Sequence, residues 1–300
     1  MKRTILKCTK LNKSFGKKHV LKDVSLEVNE GDIVAFIGPN GSGKTTTIKL
    51  ALGLLTIDSG TVTINDFDII NEYSKAIEKV GAIVENPDLY MYLSGRKNLQ
   101  LIANMYKNIS NERIEEVINA VGLEERINDS VSNYSLGMRQ RLGIAQAILH
   151  RPNILILDEP TNGLDPEGIR QMRLLLTKLA KEEKMGVLIS SHQLSELENF
   201  CNKACIIKNG IIIDTSSIEE LKKNNNNSYY LIEVSSTENI KIPNSEIIDS
   251  NTIKLNVSKE EIPSIIKTLI KSKIDIYSVV NKEITLEEAF LNKTGGNTID

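Results

Sequence analysis

The part of the sequence best suited to chemistry is a glycine-rich loop that ends in lysine and threonine. It has the spacing G-x-x-x-x-G-K-[ST] and consists of Gly38, Pro39, Asn40, Gly41, Ser42, Gly43, Lys44 and Thr45, with Thr46 following. In such a loop the backbone N–H groups bind the phosphates of a nucleoside triphosphate, the lysine reaches the β- and γ-phosphates, and the threonine hydroxyl holds Mg²⁺. A glycine-rich turn without a ligand is the alternative, and the Lys-Thr ending argues against it.

The segments before and after this phosphate-binding loop are a predicted strand and a predicted helix, as phosphate binding by such a loop requires. Residues 33–37 are an apolar run that predicts a buried strand, and residues 45–52 predict a helix. The order strand, loop, helix separates a true phosphate-binding loop from a chance match. We therefore expect a nucleoside triphosphate as ligand, although the loop does not indicate what its hydrolysis drives.

Two adjacent carboxylates form the second candidate group. Asp158 and Glu159 follow the apolar segment 154–157, which predicts another buried strand. Because open α/β sheets bind ligands at the carboxyl ends of their strands, these side chains are expected beside the phosphates. Asp158 is predicted to hold Mg²⁺ through water, and Glu159 to orient or deprotonate the attacking water. A surface Asp-Glu pair after a core strand is the alternative, which the phosphate-binding loop disfavours.

A third segment, Tyr134-Ser135-Leu136-Gly137-Met138, lies ahead of a predicted helix at 140–149. A serine and small residues before a helix predict a second helix N-terminus that faces phosphate. This helix leads directly into the strand that carries Asp158.

These segments must be positioned by alternating strands and helices. Short strands are predicted at 5–8, 24–28 and 61–64, a largely helical region at 93–149, and a further buried strand at 187–190. Strands that alternate with helices indicate an α/β fold with a parallel sheet.

A polar, asparagine-rich run at 224–228 predicts a domain boundary. We predict a nucleotide-binding domain at 1–222, a linker at 223–228, a small α+β accessory domain at 229–293 and a tail at 294–300.

The accessory domain is predicted to have the order β-β-α-β-α. Its strands are expected at 229–234, 253–257 and 274–280, and capping boxes at 258–261 and 285–288 are expected to open its helices. We find no catalytic group of residues in it.

Composition limits the classes of function. The 300 residues are 40% apolar and 25% charged with a net charge of −2, so they lack the positive charge of a nucleic-acid-binding protein. No run approaches the roughly 20 apolar residues that cross a bilayer, and we expect a cytoplasmic protein. The three cysteines, Cys8, Cys201 and Cys205, predict buried thiols rather than a disulfide framework or a metal site.

The phosphate-binding loop, the Ser135 segment and Leu157-Asp158-Glu159-Pro160 resemble, in this order, the ATP-binding cassette (ABC) family. The resemblance covers about residues 3 to 220. It implies an α/β P-loop NTPase cassette with a RecA-like parallel-sheet core, an antiparallel β subdomain and a helical subdomain, here followed by the small C-terminal α+β domain.

Further residues match family motifs. Asp165, in Asn162-Gly163-Leu164-Asp165, is similar to the interface residue of the D-loop. His192 resembles the switch histidine that contacts the γ-phosphate, and Phe15 lies where the family stacks an aromatic ring on adenine.

Two positions depart from the usual family pattern. Leu136 interrupts the signature, usually Leu-Ser-Gly-Gly-Gln, while the phosphate-facing Ser135 and Gly137 are kept. Glu85 stands where most members have glutamine, and its carboxylate is expected to accept from a Mg²⁺-bound water. Both departures, and the C-terminal extension, resemble the bacterial subfamily that exports bacitracin or lantibiotics for self-protection.

The resemblance thus implies three sets of site residues. The catalytic set is Lys44, Glu159 and His192; the ATP-binding set is Phe15, residues 38–46, Glu85, Ser135, Gly137 and Asp165; and the metal-binding set is Thr45, Asp158 and Glu85.

The implied function is ATP hydrolysis, with ATP and Mg²⁺ as cofactors, in a homodimer or a pair of cassettes that sandwiches ATP. Separate transmembrane subunits would carry the substrate, an antimicrobial peptide or another amphipathic compound, with this chain on the inner face of the membrane. A non-transport cassette ATPase acting on the ribosome or DNA is the alternative. A third is a regulatory cassette whose C-terminal domain binds a ligand or a protein. A single cassette without long heptads or excess positive charge favours transport.

Overall fold

The computed structural model describes residues 2–192, 197, 200–224, 229–237, 242–243 and 245–282, with no side chains described at 222–224. The described chain divides into two units, one extending to Ile218 and one beginning at Glu219. The domain boundaries predicted at 222 and 228 remain predictions. The capping box at 285–288 and the tail at 294–300 lie outside the described residues.

An antiparallel sheet with the order β2-β1-β4-β5 opens the first unit. Its strands are β1 (Thr4–Phe15), β2 (Lys18–Asn29), β4 (Ser59–Ile64) and β5 (Phe67–Asp68).

The strands β1 and β2 are much longer than the segments predicted at 5–8 and 24–28. The register of the pair shifts between Cys8 and Leu11 and again beyond it. Lys10 and Asp23 have positive φ angles of 47° and 52° at this irregularity. A β-bulge breaks the two-residue alternation by which a strand is recognised, and this hid the outer halves of both strands.

A six-stranded sheet with the order β10-β9-β3-β8-β7-β6 forms the centre of the first unit. Its strands are β3 (Ile33–Ile37), β6 (Val80–Ile83), β7 (Ile154–Asp158), β8 (Gly186–Ser191), β9 (Lys203–Lys208) and β10 (Ile211–Ser217). The pairs from β9 to β6 are parallel, and β10 is antiparallel to β9. Every residue of β3, β7 and β8 is buried, as continuous apolar runs in a parallel sheet predict.

Several helices of the first unit begin directly after a capping serine or aspartate, and the helix predicted at 140–149 begins earlier, at Leu136. The helices are α1 (Lys44–Ala51), α2 (Tyr73–Ile77), α3 (Gly95–Ala103), α4 (Asn111–Val121), α5 (Leu136–Ile148) and α6 (Pro166–Glu182), and α7 (Ile218–Asn224) follows β10. Ser94, Ser110, Ser135 and Asp165 each accept a hydrogen bond from the backbone N–H three residues later. These N-caps satisfy amides that have no partner inside the helix.

The second unit contains a four-stranded antiparallel sheet with the order β12-β13-β11-β14. Its elements are β11 (Tyr229–Val234), β12 (Ser245–Ile247), β13 (Thr252–Leu255), α8 (Ile262–Lys271) and β14 (Ile276–Lys282). The strand β12 was not predicted, because three residues are too few for an alternating pattern. The predicted capping contact forms, since the Ser258 N–H donates to Glu261 at 2.9 Å, but the helix begins only at Ile262.

The cysteines are buried free thiols, as predicted. Burial raises the pKa of Cys8 and of Cys205 to about 12, and it raises the pKa of Cys201 as well. Within the described ranges, no helix combines the length and apolarity that crossing a bilayer requires.

Candidate nucleotide-binding site

The phosphate-binding loop connects the carboxyl end of β3 to the first turn of α1, the geometry that its sequence predicts. Two of its glycines are required by close contacts. A Cβ on Gly38 would lie 2.3 Å from the Ile207 carbonyl oxygen, and one on Gly43 would lie 2.5 Å from Leu21 Cδ2. Gly43 also has a φ of 113°, which side-chain-bearing residues rarely adopt. The loop therefore needs glycine at both positions.

Lys44 folds back over this loop. Its side chain is only 6% exposed, and its ammonium donates to the carbonyl oxygens of Gly38 at 2.7 Å and Pro39 at 3.4 Å. The same nitrogen lies 3.2 Å from Glu159 Oε1. A buried ammonium is costly unless paired, and here three oxygens surround it.

Glu159 joins Lys44 to His192. While Oε1 contacts Lys44, Oε2 lies 2.8 Å from His192 Nδ1. Glu159 comes directly after β7 and has a φ of 50°, and its backbone N–H donates to the hydroxyl of Ser190 at 2.9 Å. The neighbouring strands β7 and β8 thus deliver the carboxylate and the imidazole to the same edge of the sheet. The three predicted catalytic side chains form one connected network.

A cavity of about 520 Å³ opens beside this network. It is lined by Phe15, Lys18, Val20, Asn40, Gly41, Gly43, Lys44, Thr45, Thr46, Glu159, Asn162 and His192. Most of the predicted ATP-binding and catalytic residues are thus brought together. Its size lies in the range of small-molecule sites, and its lining combines apolar and polar side chains.

Three lining residues were missed by the sequence analysis. Asn162 belongs to a motif from which only Asp165 was selected. Lys18 and Val20 lie at the start of β2. Lys18 pairs with Phe15 across the two strands, and this pairing brings both residues to the cavity that Phe15 lines. No local sequence pattern marked Lys18 or Val20, because strand pairing brings them to the cavity.

Three predicted loop residues, Gly38, Pro39 and Ser42, do not line the cavity. Gly38 and Pro39 present their carbonyl oxygens to Lys44. Ser42 is buried, and its hydroxyl has no hydrogen-bond partner among the described residues. They shape the loop rather than line the cavity.

Ser135, Gly137 and Asp165 do not line this cavity. Ser135 and Asp165 cap α5 and α6, and the two segments touch each other: a Cβ on Gly163 would lie 3.0 Å from Leu136 Cδ2. The signature therefore contacts the D-loop, whose Asn162 lines the cavity while Asp165 does not.

Glu85 also lies outside the cavity. Its carboxylate is 64% exposed and forms an ion pair with Lys49 of α1 at 2.9 Å. Its predicted contacts with ATP and the metal remain predictions.

The chemistry of the remaining predicted metal ligands suits Mg²⁺. Thr45, which carries a hydroxyl group, lines the cavity, and Asp158 is buried at the end of β7. Ser190 donates to one Asp158 oxygen at 2.5 Å, which orients the carboxylate. Hydroxyl and carboxylate oxygens are the hard donors that Mg²⁺ prefers, usually together with substrate phosphates.

Comparison with known proteins decides the family. The model of the ABC transporter family matches residues 21–162. The ABC transporter ATP-binding protein YhcH of Bacillus subtilis (strain 168) is 44% identical over 98% of this chain and 97% of its own length. The chain belongs to the ABC transporter family. The predicted cassette fold is thereby confirmed. The chain is a nucleotide-binding, ATP-hydrolysing subunit associated with transport rather than an ATPase that acts on the ribosome or DNA.

Two further relatives of the cassette are named for antibiotic peptides. The bacitracin transport ATP-binding protein BcrA of Bacillus licheniformis is 36% identical over 99% of both chains. The lantibiotic transport ATP-binding protein SrtF of Streptococcus pyogenes is 39% identical over 73% of this cassette and 96% of its own chain. The resemblance drawn from Glu85 and the altered signature is confirmed by these relatives.

Solved cassette structures have the same fold. The dimeric structure of MJ0796, a bacterial ABC transporter cassette, superposes with a TM-score of 0.64 at 26% identity and covers 71% of this chain and 99% of that one.

Proposed function

We propose that this chain is the ATP-hydrolysing subunit of an exporter of antimicrobial peptides or other amphipathic compounds. It would work on the cytoplasmic face of the membrane with separate transmembrane subunits. The observation that carries the proposal is the Lys44–Glu159–His192 network inside the phosphate-binding cavity. The relatives named for bacitracin and lantibiotic transport support the class of substrate.

In this proposal the three residues divide the work of phosphoryl transfer. Lys44 binds the β- and γ-phosphates and neutralises charge that develops on them. Glu159 accepts a proton from the attacking water or orients it, and His192 contacts the γ-phosphate while holding the Glu159 carboxylate in place. Phe15, which also lines the cavity, stacks on adenine.

Mg²⁺ would be held by the Thr45 hydroxyl and, through water, by Asp158, with Glu85 as a further acceptor. When bound, the ion neutralises charge on the β- and γ-phosphates. Ser190 keeps the Asp158 carboxylate oriented for this task.

We further propose that the site is completed by a second cassette, identical or paired. Ser135, Gly137 and Asp165 are set apart from the cavity in one chain, so they are available to close the cavity of another. The α5 N-terminus at Ser135 would add its positive end to the same triphosphate. The dimeric cassette among the similar structures supports this arrangement.

A groove beside residues 86–88 is the proposed contact with the membrane subunit. It has a volume of about 440 Å³ and is lined in part by Pro87, Ile102 and Tyr106. Large apolar side chains that lie exposed nearby in the sequence are Tyr90, Tyr92, Leu101 and Met105. Exposed large apolar side chains beside a groove are suited to contact with another protein, and we assign a cytoplasmic segment of the transmembrane subunit as the occupant.

The experiment that tests the proposal is Glu159→Gln. The amide cannot take the proton from water, so hydrolysis should fall by at least about 100-fold while ATP still binds. Because ATP then persists at the interface, light scattering after size-exclusion chromatography should show a dimer with saturating ATP. Glu182→Gln, at the exposed end of α6, is the matched control and should behave as wild type. Retained hydrolysis, or a monomer in saturating ATP, would count against the proposal.

A further inference from the structure

The ion pair between Lys49 and Glu85 connects two functional parts of the cassette. Lys49 lies in the last turn of α1, the helix that begins with Lys44 and Thr45. Glu85 follows β6 and directly precedes residues 86–88. These three residues line the groove that we propose as the contact with the membrane subunit. The 2.9 Å contact therefore joins the phosphate-binding helix to the loop at the proposed membrane-subunit contact.

This ion pair is weak enough for another cation to replace Lys49 as the partner of Glu85. Lys49 is 33% exposed and Glu85 is 64% exposed, so water competes for both charges. Glu85 also has a φ of 69°, in the left-handed region that a residue with a side chain rarely occupies. Such a conformation persists only when surrounding contacts hold it, and the Glu85 side chain is held by its hydrogen bond from Lys49.

The ion pair gives a reason for glutamate at this position. A glutamine amide has no charge with which to pair Lys49, whereas a carboxylate attracts both an ammonium group and a divalent cation. Lys49 and Mg²⁺ are thus two cations that compete for one carboxylate.

We propose that Lys49 is a positioning residue that holds Glu85 outside the nucleotide cavity and releases it when Mg²⁺ competes for the carboxylate. The inference rests on the proposed function, because it takes MgATP as the ligand of the cavity. Nucleotide binding at the start of α1 then changes the conformation of residues 85–88, because it breaks the ion pair between Lys49 and Glu85.

The test compares Lys49→Gln, which removes the charge, with Lys49→Arg, which keeps it. Hydrogen exchange of a peptide covering residues 84–88 is measured without nucleotide, and the Mg²⁺ concentration for half-maximal binding is measured with a fluorescent ATP analogue. Lys49→Gln should speed the exchange about threefold and lower the half-maximal Mg²⁺ concentration about threefold, the scale of an exposed ion pair. Lys49→Arg should match wild type in both.

Lys75→Gln is the matched control, because Lys75 forms an exposed ion pair with Glu72 at 3.0 Å elsewhere in the same unit. It should change neither measurement. Wild-type values in Lys49→Gln for both measurements would overturn the inference. Faster exchange with an unchanged Mg²⁺ requirement would also overturn it, because the pair would then be merely structural. A wild-type protein that neither binds nor hydrolyses MgATP would defeat the proposed function itself, and the exchange measurement would still report on the ion pair.

Discussion

At the scale of single residues, the cavity is organised by charges that depend on one another. Lys44 is almost fully buried and is held by two carbonyl oxygens and Glu159, and Glu159 in turn contacts His192. Removing one partner from such a group leaves a largely buried charge with fewer partners, so we expect the three side chains to depend on one another. Motifs identified each of these residues, but their mutual contacts depend on strands that are distant in the sequence.

Lys18 provides a prediction at this scale. It lines the cavity together with Phe15, so its positive charge should attract the triphosphate. Lys18→Met is expected to weaken ATP binding about fivefold, the effect of one unit charge at a few ångströms in water, and to leave adenosine binding unchanged. The measurement is equilibrium titration with a fluorescent ATP analogue, with adenosine as competitor.

Lys17→Met is the control for that prediction, since Lys17 is the adjacent residue in the turn and does not line the cavity. Equal losses in both variants would show a general effect of surface charge. No loss in Lys18→Met would mean that the lysine does not contribute to the site.

At the scale of elements, Asp32 forms hydrogen bonds with residues at or near the ends of β1, β2 and β9. It directly precedes β3 and is fully buried. Its carboxylate accepts hydrogen bonds from Lys2 at 2.7 Å, Asn29 at 3.0 Å, Asn202 at 3.1 Å and Lys203 at 2.7 Å. Burial alone would raise the pKa of Asp32, but the hydrogen bonds from Lys2, Lys203 and the two asparagines outweigh it and lower the pKa to about 2.

This carboxylate predicts a pH-dependent stability. Because the pKa of Asp32 is lower in the folded protein, its contribution is complete above the ordinary aspartate value of about 3.9 and is lost as the pH falls toward 2. Asp32→Asn should therefore reduce the free energy of unfolding by about 2 to 4 kcal/mol at pH 7, and by less at pH 3. Urea unfolding at the two pH values is the measurement.

Asp66→Asn is the comparison for Asp32→Asn. Asp66 pairs with Arg3 at 2.7 Å, but both side chains are more than half exposed. A loss below about 1 kcal/mol is expected. An Asp32→Asn protein that is as stable as this control at pH 7 would refute the role given to Asp32.

At the scale of the whole molecule, the described chain contains two units with separate apolar cores. The core of the first includes Leu6, Phe36 and Ile156, and that of the second includes Ile232, Ile253 and Leu269. The nucleotide cavity is built entirely from the first unit. Units with their own cores unfold independently unless a large interface couples them.

Calorimetry should distinguish these units. With ATP at 100 times its dissociation constant and Mg²⁺, the unit that binds nucleotide gains about 2.7 kcal/mol. The Glu159→Gln protein, in which ATP is not consumed, should show two transitions, of which MgATP shifts only one upward. A single transition, or an equal shift of both, would show that the units unfold together.

Local sequence patterns were sufficient for the phosphate-binding loop, the buried strands β3, β7 and β8, and the helix N-terminus at Ser135. Each of these depends on neighbours within a few residues: glycine spacing, a continuous apolar run, or a side-chain oxygen three residues before an amide. The boundaries of β1 and β2 escaped prediction because the bulges at Lys10 and Asp23 break the local pattern.

The sequence alone was enough to establish that this chain binds nucleotide in a cassette fold and to name Lys44, Glu159 and His192. Their connection into one network, the entry of Lys18 into the cavity and the pairing of Glu85 with Lys49 required the folded chain. The physical reason is that motifs reflect short-range backbone geometry, whereas side-chain partners far apart in sequence are chosen by how strands and helices pack. The phosphate-binding loop belongs to the first kind and the ion pair at Glu85 to the second.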